Sequence, residues 1–141
     1  MQTVNSAGKG FPGSKRLLRR SDFQRVYEFG RRQFTGNMTV FFLRRTDLPE
    51  EAASVRVGFT VGRVLGGAVE RNRIRRRMRE AVRLNWPAEM APVDIVFHPR
   101  KPVLDLPFEE LAREVERGLQ LAIQRARVAG EVGAAKPLKR K

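Results

Sequence analysis

The chain has 141 residues, 41% of them hydrophobic, and this fits one domain with a buried core. Its 29 Lys and Arg residues outnumber 15 Asp and Glu residues, so the net charge of +14 predicts a polyanionic partner, nucleic acid before an anionic membrane or an acidic protein. The sequence has no cysteine and a single histidine, His98, which excludes disulfides, cysteine nucleophiles and metal sites built on Cys or paired His.

The two ends of the chain differ in composition from its middle. Residues 1–13 are small, polar and rich in glycine, and residues 129–141 end in a basic run, so we expect two disordered tails around a domain at 14–128. We expect the basic tail to be solvated, with weak phosphate contact as the alternative. No apolar run approaches the roughly 20 residues that span a bilayer, and no signal peptide is visible, so a cytoplasmic protein is expected.

The first predicted element is a helix over residues 21–29. Ser21 and Gln24 have the spacing of a capping box, and Gly30 is a natural stop. The side chains that share its apolar face are Phe23, Val26 and Tyr27.

Three strands are predicted next, over residues 32–35, 37–45 and 55–61. Both faces of the second strand are largely apolar, so either both are covered or one faces a ligand. The third strand alternates more strictly: its valines and Phe59 point one way, while Arg56 and Thr60 lie on an open, partly basic face.

The second half of the chain predicts a helix over 68–85, an apolar central strand over 93–98 and a last helix that starts near Pro107. The core stripe of the last helix is predicted to be Phe108, Leu111, Val115, Leu119 and Ala122, with Glu109, Glu110, Glu114 and Glu116 in solvent. The order α-β-β-β-α-β-α indicates an α+β sandwich on a mostly antiparallel sheet, and the third strand, its helix and the fourth strand are placed to form a β-α-β crossover.

The helix over 68–85 is the most informative segment. When its residues are placed on an α-helix, which turns about 100° per residue, the apolar and the basic side chains fall on opposite sides. The apolar side carries Ile74, Met78, Ala81, Val82 and Asn85; the opposite side carries Asn72, Arg75, Arg76, Arg79 and Arg83, with Arg71, Arg73 and Arg77 at the boundary. Because guanidinium groups bind phosphate through two parallel hydrogen bonds, this pattern predicts an RNA- or DNA-binding face.

Two other interpretations of this helix are open. A solvated amphipathic helix would need more acidic partners than Glu70 and Glu80 provide. A membrane-surface helix would need Trp, Phe or Leu on its apolar side, whereas Ile, Met, Ala and Val favour packing against a sheet.

The sequence resembles the ribonuclease P protein family. The matching strings are Val57-Gly58-Phe59-Thr60-Val61-Gly62-Arg63, then Gly66, Ala68-Val69, Arg71-Asn72-Arg73-Ile74-Arg75-Arg76 and Arg79-Glu80. Weaker matches are Asp22-Phe23 with Val26-Tyr27, and Asp94-Ile95-Val96-Phe97 with Arg100-Lys101-Pro102; together they cover about residues 15–125. The chain departs from the family at Val64, where a second lysine is usual, and at Gly67, where asparagine is usual.

The resemblance implies a left-handed β-α-β crossover within the α-β sandwich, like that in the second domain of a small-subunit ribosomal protein. It also implies the protein subunit of ribonuclease P, in which a catalytic RNA removes the 5′ leader of precursor tRNA. Magnesium ions would be held mainly by that RNA, and one protein is expected per RNA.

The resemblance also implies two sets of site residues. The residues expected to bind the RNA subunit are Arg63, Arg71, Asn72, Arg73, Arg75, Arg76, Arg79 and Arg83. The residues expected to line a cleft for the single-stranded leader are Phe23, Tyr27, Phe41 and Arg56, with ordinary core packing as the alternative for the aromatic rings.

No catalytic set and no metal site is predicted in the protein itself, and His98 is expected to be a structural strand residue. Three rival functions remain: a structural RNA-binding protein such as a small ribosomal protein, a DNA-binding regulator and a standalone nuclease. A nearly uniform arginine face suits phosphates better than base edges, which disfavours the regulator.

Overall fold

The computed structural model describes residue 16 and residues 19–46, 54–87 and 91–131. The elements are α1 (Arg20–Phe29), β1 (Arg31–Phe34), β2 (Met38–Arg44), β3 (Arg56–Phe59), α2 (Ala68–Leu84), β4 (Val93–Pro99) and α3 (Phe108–Glu131), with short 3-10 helices at Arg63–Leu65 and Lys101–Leu104. This confirms the predicted order and the α+β class. The predicted N-terminal tail lies outside the described residues, and α3 continues three residues into the predicted C-terminal tail.

The four strands form one sheet in the order β1-β2-β4-β3. β2 pairs antiparallel with both β1 and β4, whereas β3 pairs parallel with β4. Because α2 connects the parallel pair, the predicted β-α-β unit is present, and β4 is central as its apolar sequence predicted.

The sheet separates two apolar layers. On one side, α2 and α3 pack on strand residues that include Val40, Ile95 and Phe97, all fully buried. On the other side, α1 buries Val26 against Val96 of β4. The predicted α3 stripe is confirmed, since Leu111, Val115, Leu119 and Ala122 are buried and Phe108 packs against the same core.

The predicted capping box of α1 is wrong. The helix begins one residue earlier, with Arg19 as its N-cap and no side chain bonded to the free N–H groups, so Ser21 lies inside the first turn. The predicted stop is confirmed, since Gly30 N–H bonds the Val26 carbonyl. A Cβ atom at Gly30 would lie 2.5 Å from the carbonyl oxygens of both Val26 and Phe42, so close backbone approach requires glycine there.

The expectation that Glu114 faces solvent is also wrong. Its side chain is buried and accepts hydrogen bonds from the Thr35 hydroxyl, from Asn37 N at 2.5 Å and from Asn37 Nδ2 at 2.9 Å. Glu114 therefore holds the turn between β1 and β2 against α3. Burial raises the pKa of this carboxyl, but the hydrogen bonds from Thr35 and Asn37 outweigh burial and the pKa is lowered.

We predict that Glu114→Gln lowers the free energy of unfolding at neutral pH by about 1–3 kcal/mol, because Asn37 loses a charged acceptor. A lowered pKa in the folded state contributes stability above the unfolded value near 4.5, and that contribution is lost as pH falls below it. Urea unfolding should thus show a difference in the free energy of unfolding between wild type and variant at pH 7, and this difference should become smaller below about pH 4.5. Glu110→Gln, at an exposed site on the same helix, is the control, and a gap independent of pH would contradict the assignment.

Candidate nucleic-acid interface

The inner side of α2 is packed as the sequence predicted. Ile74, Met78, Ala81 and Val82 are fully buried. Asn85 donates its amide to the carbonyls of Ala81 and Ala112, at 2.8 and 3.2 Å, and so joins the end of α2 to α3. These contacts fix the rotation of α2 and turn its basic side outward.

A glycine turn sets the start of α2. Gly66 has φ of 133°, in the left-handed region that favours glycine. Glu70 accepts the N–H of Gly67 at 3.0 Å, and Arg71 Nε donates to the Gly66 carbonyl at 3.2 Å. The turn is therefore held by its own helix although Gly67 replaces the asparagine usual in the resembled family.

Two boundary arginines of α2 are engaged with backbone. Arg73 Nε donates to the Leu104 carbonyl at 3.1 Å, and Arg77 donates to the carbonyls of Val103 and Leu106. The pKa of Arg77 is lowered mainly by burial and, to a smaller extent, by the positive charge of Arg73. Both residues join α2 to the segment 103–106 that follows β4, so some of their N–H groups are used to hold the fold together.

We call the outward side of α2 the arginine face; its residues are Asn72, Arg75, Arg76, Arg79 and Arg83. Arg75 donates to Asn72 at 2.7 Å, and Arg83 pairs with Glu80 at 2.6 Å. Within the part of the chain that the structure describes, Arg83 is the only arginine of α2 within ion-pair distance of a carboxylate. Arg63 lies exposed on the 3-10 helix before the turn.

Arg79 is a partly buried member of this face. Burial is the main cause that lowers the pKa of Arg79, and the positive charges of Arg16 and Arg75 lower it further. Arg16 lies beside β3, where it bridges to Val57. Guanidinium groups thus crowd one another here, and bound phosphate would relieve the repulsion.

The predicted cleft residues come together between α1 and the sheet. Phe23, Tyr27 and Phe41 pack around buried Val26 and Val96, each only partly buried. The Tyr27 and Phe41 rings meet edge to face, with centroids 5.2 Å apart. The structure supports both a packing role and an accessible edge for these rings.

Sequence reasoning missed one member of the cleft, His98. Its Nε2 lies 2.6 Å from the Tyr27 hydroxyl, which is also 2.5 Å from Thr60 Oγ1, and its ring centroid is 4.8 Å from that of Phe41. We call Tyr27, Phe41 and His98 the aromatic cluster. The available signal was alternation, since β4 residues that alternate with the buried core side must face α1.

The expectation of an open position for Arg56 is corrected. Its guanidinium donates to both carboxylate oxygens of Asp94, at 2.9 and 2.8 Å, and lies 3.7 Å from Asp22 of α1. Asp94 also accepts a hydrogen bond from buried Arg45. Arg56 therefore joins α1 to the sheet as part of an ion network.

Neither a metal cluster nor a membrane span is found in the described ranges. No three Asp, Glu or His side chains there are grouped so that they could hold a metal ion. None of the described helices is long and apolar enough to cross a bilayer.

Comparison with known proteins gives one consistent result. Residues 11–122 match the family model described as Ribonuclease P. The ribonuclease P protein component of Symbiobacterium thermophilum is 45% identical over 101 residues, covering 72% of this chain and 84% of that protein. The component of Chloroflexus aurantiacus is 44% identical over 108 residues, covering 76% of each.

Two solved structures share the fold. The RNase P protein of Staphylococcus aureus superposes with a TM-score of 0.64 at 29% identity, covering 77% of this chain and 94% of that one. The RNase P protein of Thermotoga maritima superposes with a TM-score of 0.62 at 26% identity, covering 77% and 96%.

Proposed function

The chain belongs to the ribonuclease P protein family and is the protein component of a tRNA-processing ribonucleoprotein; we propose that it binds the catalytic RNA and the 5′ leader of precursor tRNA. In this proposal it assists the endonucleolytic cut that produces the mature 5′ end. One protein binds one RNA subunit.

The arginine face carries the proposal for the RNA subunit. It presents guanidinium groups that the described carboxylates leave largely uncompensated, on a helix whose other side is locked in the core. Such a rigid, charged surface suits the phosphates of a folded RNA. We assign contact roles to the arginine face and Arg63, while Arg71 and Arg73 also hold the start and the flank of α2.

The aromatic cluster and Phe23 support the proposal for the leader. Unpaired bases stack on partly exposed rings, and the hydrogen bonds of the Tyr27 hydroxyl to Thr60 and His98 hold that ring in place. We assign Arg56 a positioning role, in which it holds α1 over the sheet and so sets the width of the cleft.

The chemistry of the cut is proposed to belong to the RNA subunit and its Mg²⁺ ions. The described residues offer no cluster of ligands for such an ion, so we derive no step through a protein-bound metal. The protein contributes binding and placement of the substrate.

Reconstituted cleavage tests the proposed function. Precursor tRNA is incubated with the RNA subunit at low magnesium, with and without this protein, and release of the leader is measured. We expect faster cleavage with the protein, because its cations replace part of the screening that magnesium provides. Equal rates would favour a structural RNA-binding protein, and cleavage by the RNA-free protein would favour a standalone nuclease.

We predict that Phe23→Ala weakens binding of precursor tRNA to the holoenzyme by about 5- to 100-fold, the range expected for one lost base stack, and leaves mature tRNA unchanged. The two affinities are measured side by side at one salt concentration. Leu43→Ala, which trims the same apolar cluster without removing a ring, is the matched control. Equal losses for both RNAs would show that Phe23 serves only packing.

A further inference from the structure

An exposed aromatic ring stands on the edge strand of the sheet, outside the cleft. Phe34 of β1 is 60% exposed, although large apolar side chains are usually buried. The guanidinium of Arg32 lies over its ring, 5.6 Å from the centroid. An arginine stacked in this way orients the ring and places a positive charge beside it.

The strand register places Phe34 on the same face as the aromatic cluster. Phe34 pairs with Thr39, and Thr39 pairs with His98, so these three side chains form one row across the sheet. The neighbouring row contains Arg32 and Phe41. Adjacent strands lie about 4.8 Å apart, so Phe34 is roughly 10 Å from His98, with Thr39 between them.

A second cation lies at this corner. Arg100 donates to Thr39 Oγ1 at 3.1 Å and to the carbonyls of Thr35 and Gly36 at 3.2 Å. Among the described residues, no carboxylate forms an ion pair with Arg32 or Arg100. The nearby Glu114 is buried and occupied by the turn.

We propose that Phe34, with Arg32 on its ring and Arg100 beside it, is a stacking site for one unpaired base of RNA, with the two arginines placed for the adjoining phosphates. This rests on the proposed function and extends it, because the site prolongs the single-strand path from the aromatic cluster to the edge of the sheet. An exposed ring with one cation on its face and a second on the neighbouring strand residue Thr39 suits a base and its phosphates. An apolar protein partner would need a wider apolar patch than one ring provides.

A series of leader lengths tests this site. Holoenzyme affinity is measured for precursor tRNAs whose leaders increase by one nucleotide, using wild type, Phe34→Ala and Phe34→Tyr. We expect Phe34→Ala to lower the affinity about 5- to 30-fold, but only for leaders long enough to pass the cleft. Phe34→Tyr, which keeps an aromatic ring, should retain the wild-type affinity. The proposal would be overturned if the affinity of Phe34→Ala equalled that of wild type at every leader length, or if it were reduced by the same factor at all lengths.

A direct readout keeps this inference separate from the proposed function. The full chain carrying Phe34→Trp is titrated with an oligouridine, and the signal of Trp86 is subtracted with the wild-type chain. Stacking of a base is expected to quench the new fluorescence, and no quenching would overturn the site. Failure of leader cleavage with intact quenching would instead contradict the function and leave the stacking site standing.

Discussion

Arg75→Ala combined with Arg79→Ala is expected to weaken binding of the RNA subunit and to make that binding less sensitive to salt. Each phosphate contact releases counterions, so the slope of log affinity against log salt falls by about 0.7–0.9 for each contact removed. Two lost contacts should make the slope shallower by about 1.5. The affinity should drop by about 2 kcal/mol, or roughly thirty-fold.

The control for this variant removes the same charge elsewhere. Arg113→Ala with Arg125→Ala takes two exposed arginines from α3 and lowers the net charge equally. Filter binding over a range of potassium chloride compares the two. If both double variants change the slope equally, net charge rather than the arginine face governs binding.

Asp94→Asn is expected to produce the largest loss of stability, about 3–5 kcal/mol in the free energy of unfolding. Asp94 is 1% exposed and is the shared partner of Arg45 and Arg56. Arg45 is itself 5% exposed and its Nε has no hydrogen-bond partner among the described residues. Removing the carboxylate therefore leaves a buried cation without its counter-charge.

A double-variant cycle isolates this effect. Arg45→Met added to Asp94→Asn should recover part of the loss in urea unfolding, because the stranded cation is removed as well. Asp105→Asn, at an exposed position, is the control and should change stability by less than about 0.5 kcal/mol. If Asp94→Asn lowered the free energy of unfolding by less than about 1 kcal/mol, or if the effects of Asp94→Asn and Arg45→Met were strictly additive, the two residues would not be energetically coupled.

Local periodicity was sufficient to predict α2 and its two sides. Each apolar position of that helix, from Ile74 to Val82, is buried as its 3.6-residue spacing indicates. The alternation of β2 likewise placed Met38, Val40 and Phe42 on one face, and these three are the buried ones, although both faces are apolar and the sequence did not indicate which of them is the core side. These features depend on neighbours within a few residues, and the sequence displays such neighbours directly.

The capping box of α1 is a local error, since the helix begins one residue early. The other errors involve partners that are distant in sequence. Glu114 fits an exposed helical position until Asn37, 77 residues away, presents its N–H. Arg56 fits an open strand face until the parallel register places Asp94 beside it. Alternation places His98 on one face of β4, but its contact with Tyr27 depends on β4 being central and on α1 covering that face.

Cleavage of the RNA from a tether on α2 tests the central claim most directly. Since the chain has no cysteine, Arg76→Cys provides a unique attachment point for an iron chelate on the arginine face, and Gln120→Cys provides one on the exposed side of α3. We expect hydroxyl radicals generated from position 76 to cut the RNA subunit at a few defined sites, and those from position 120 to cut it weakly or not at all. Strong, localised cutting from position 120 with none from position 76 would contradict the account.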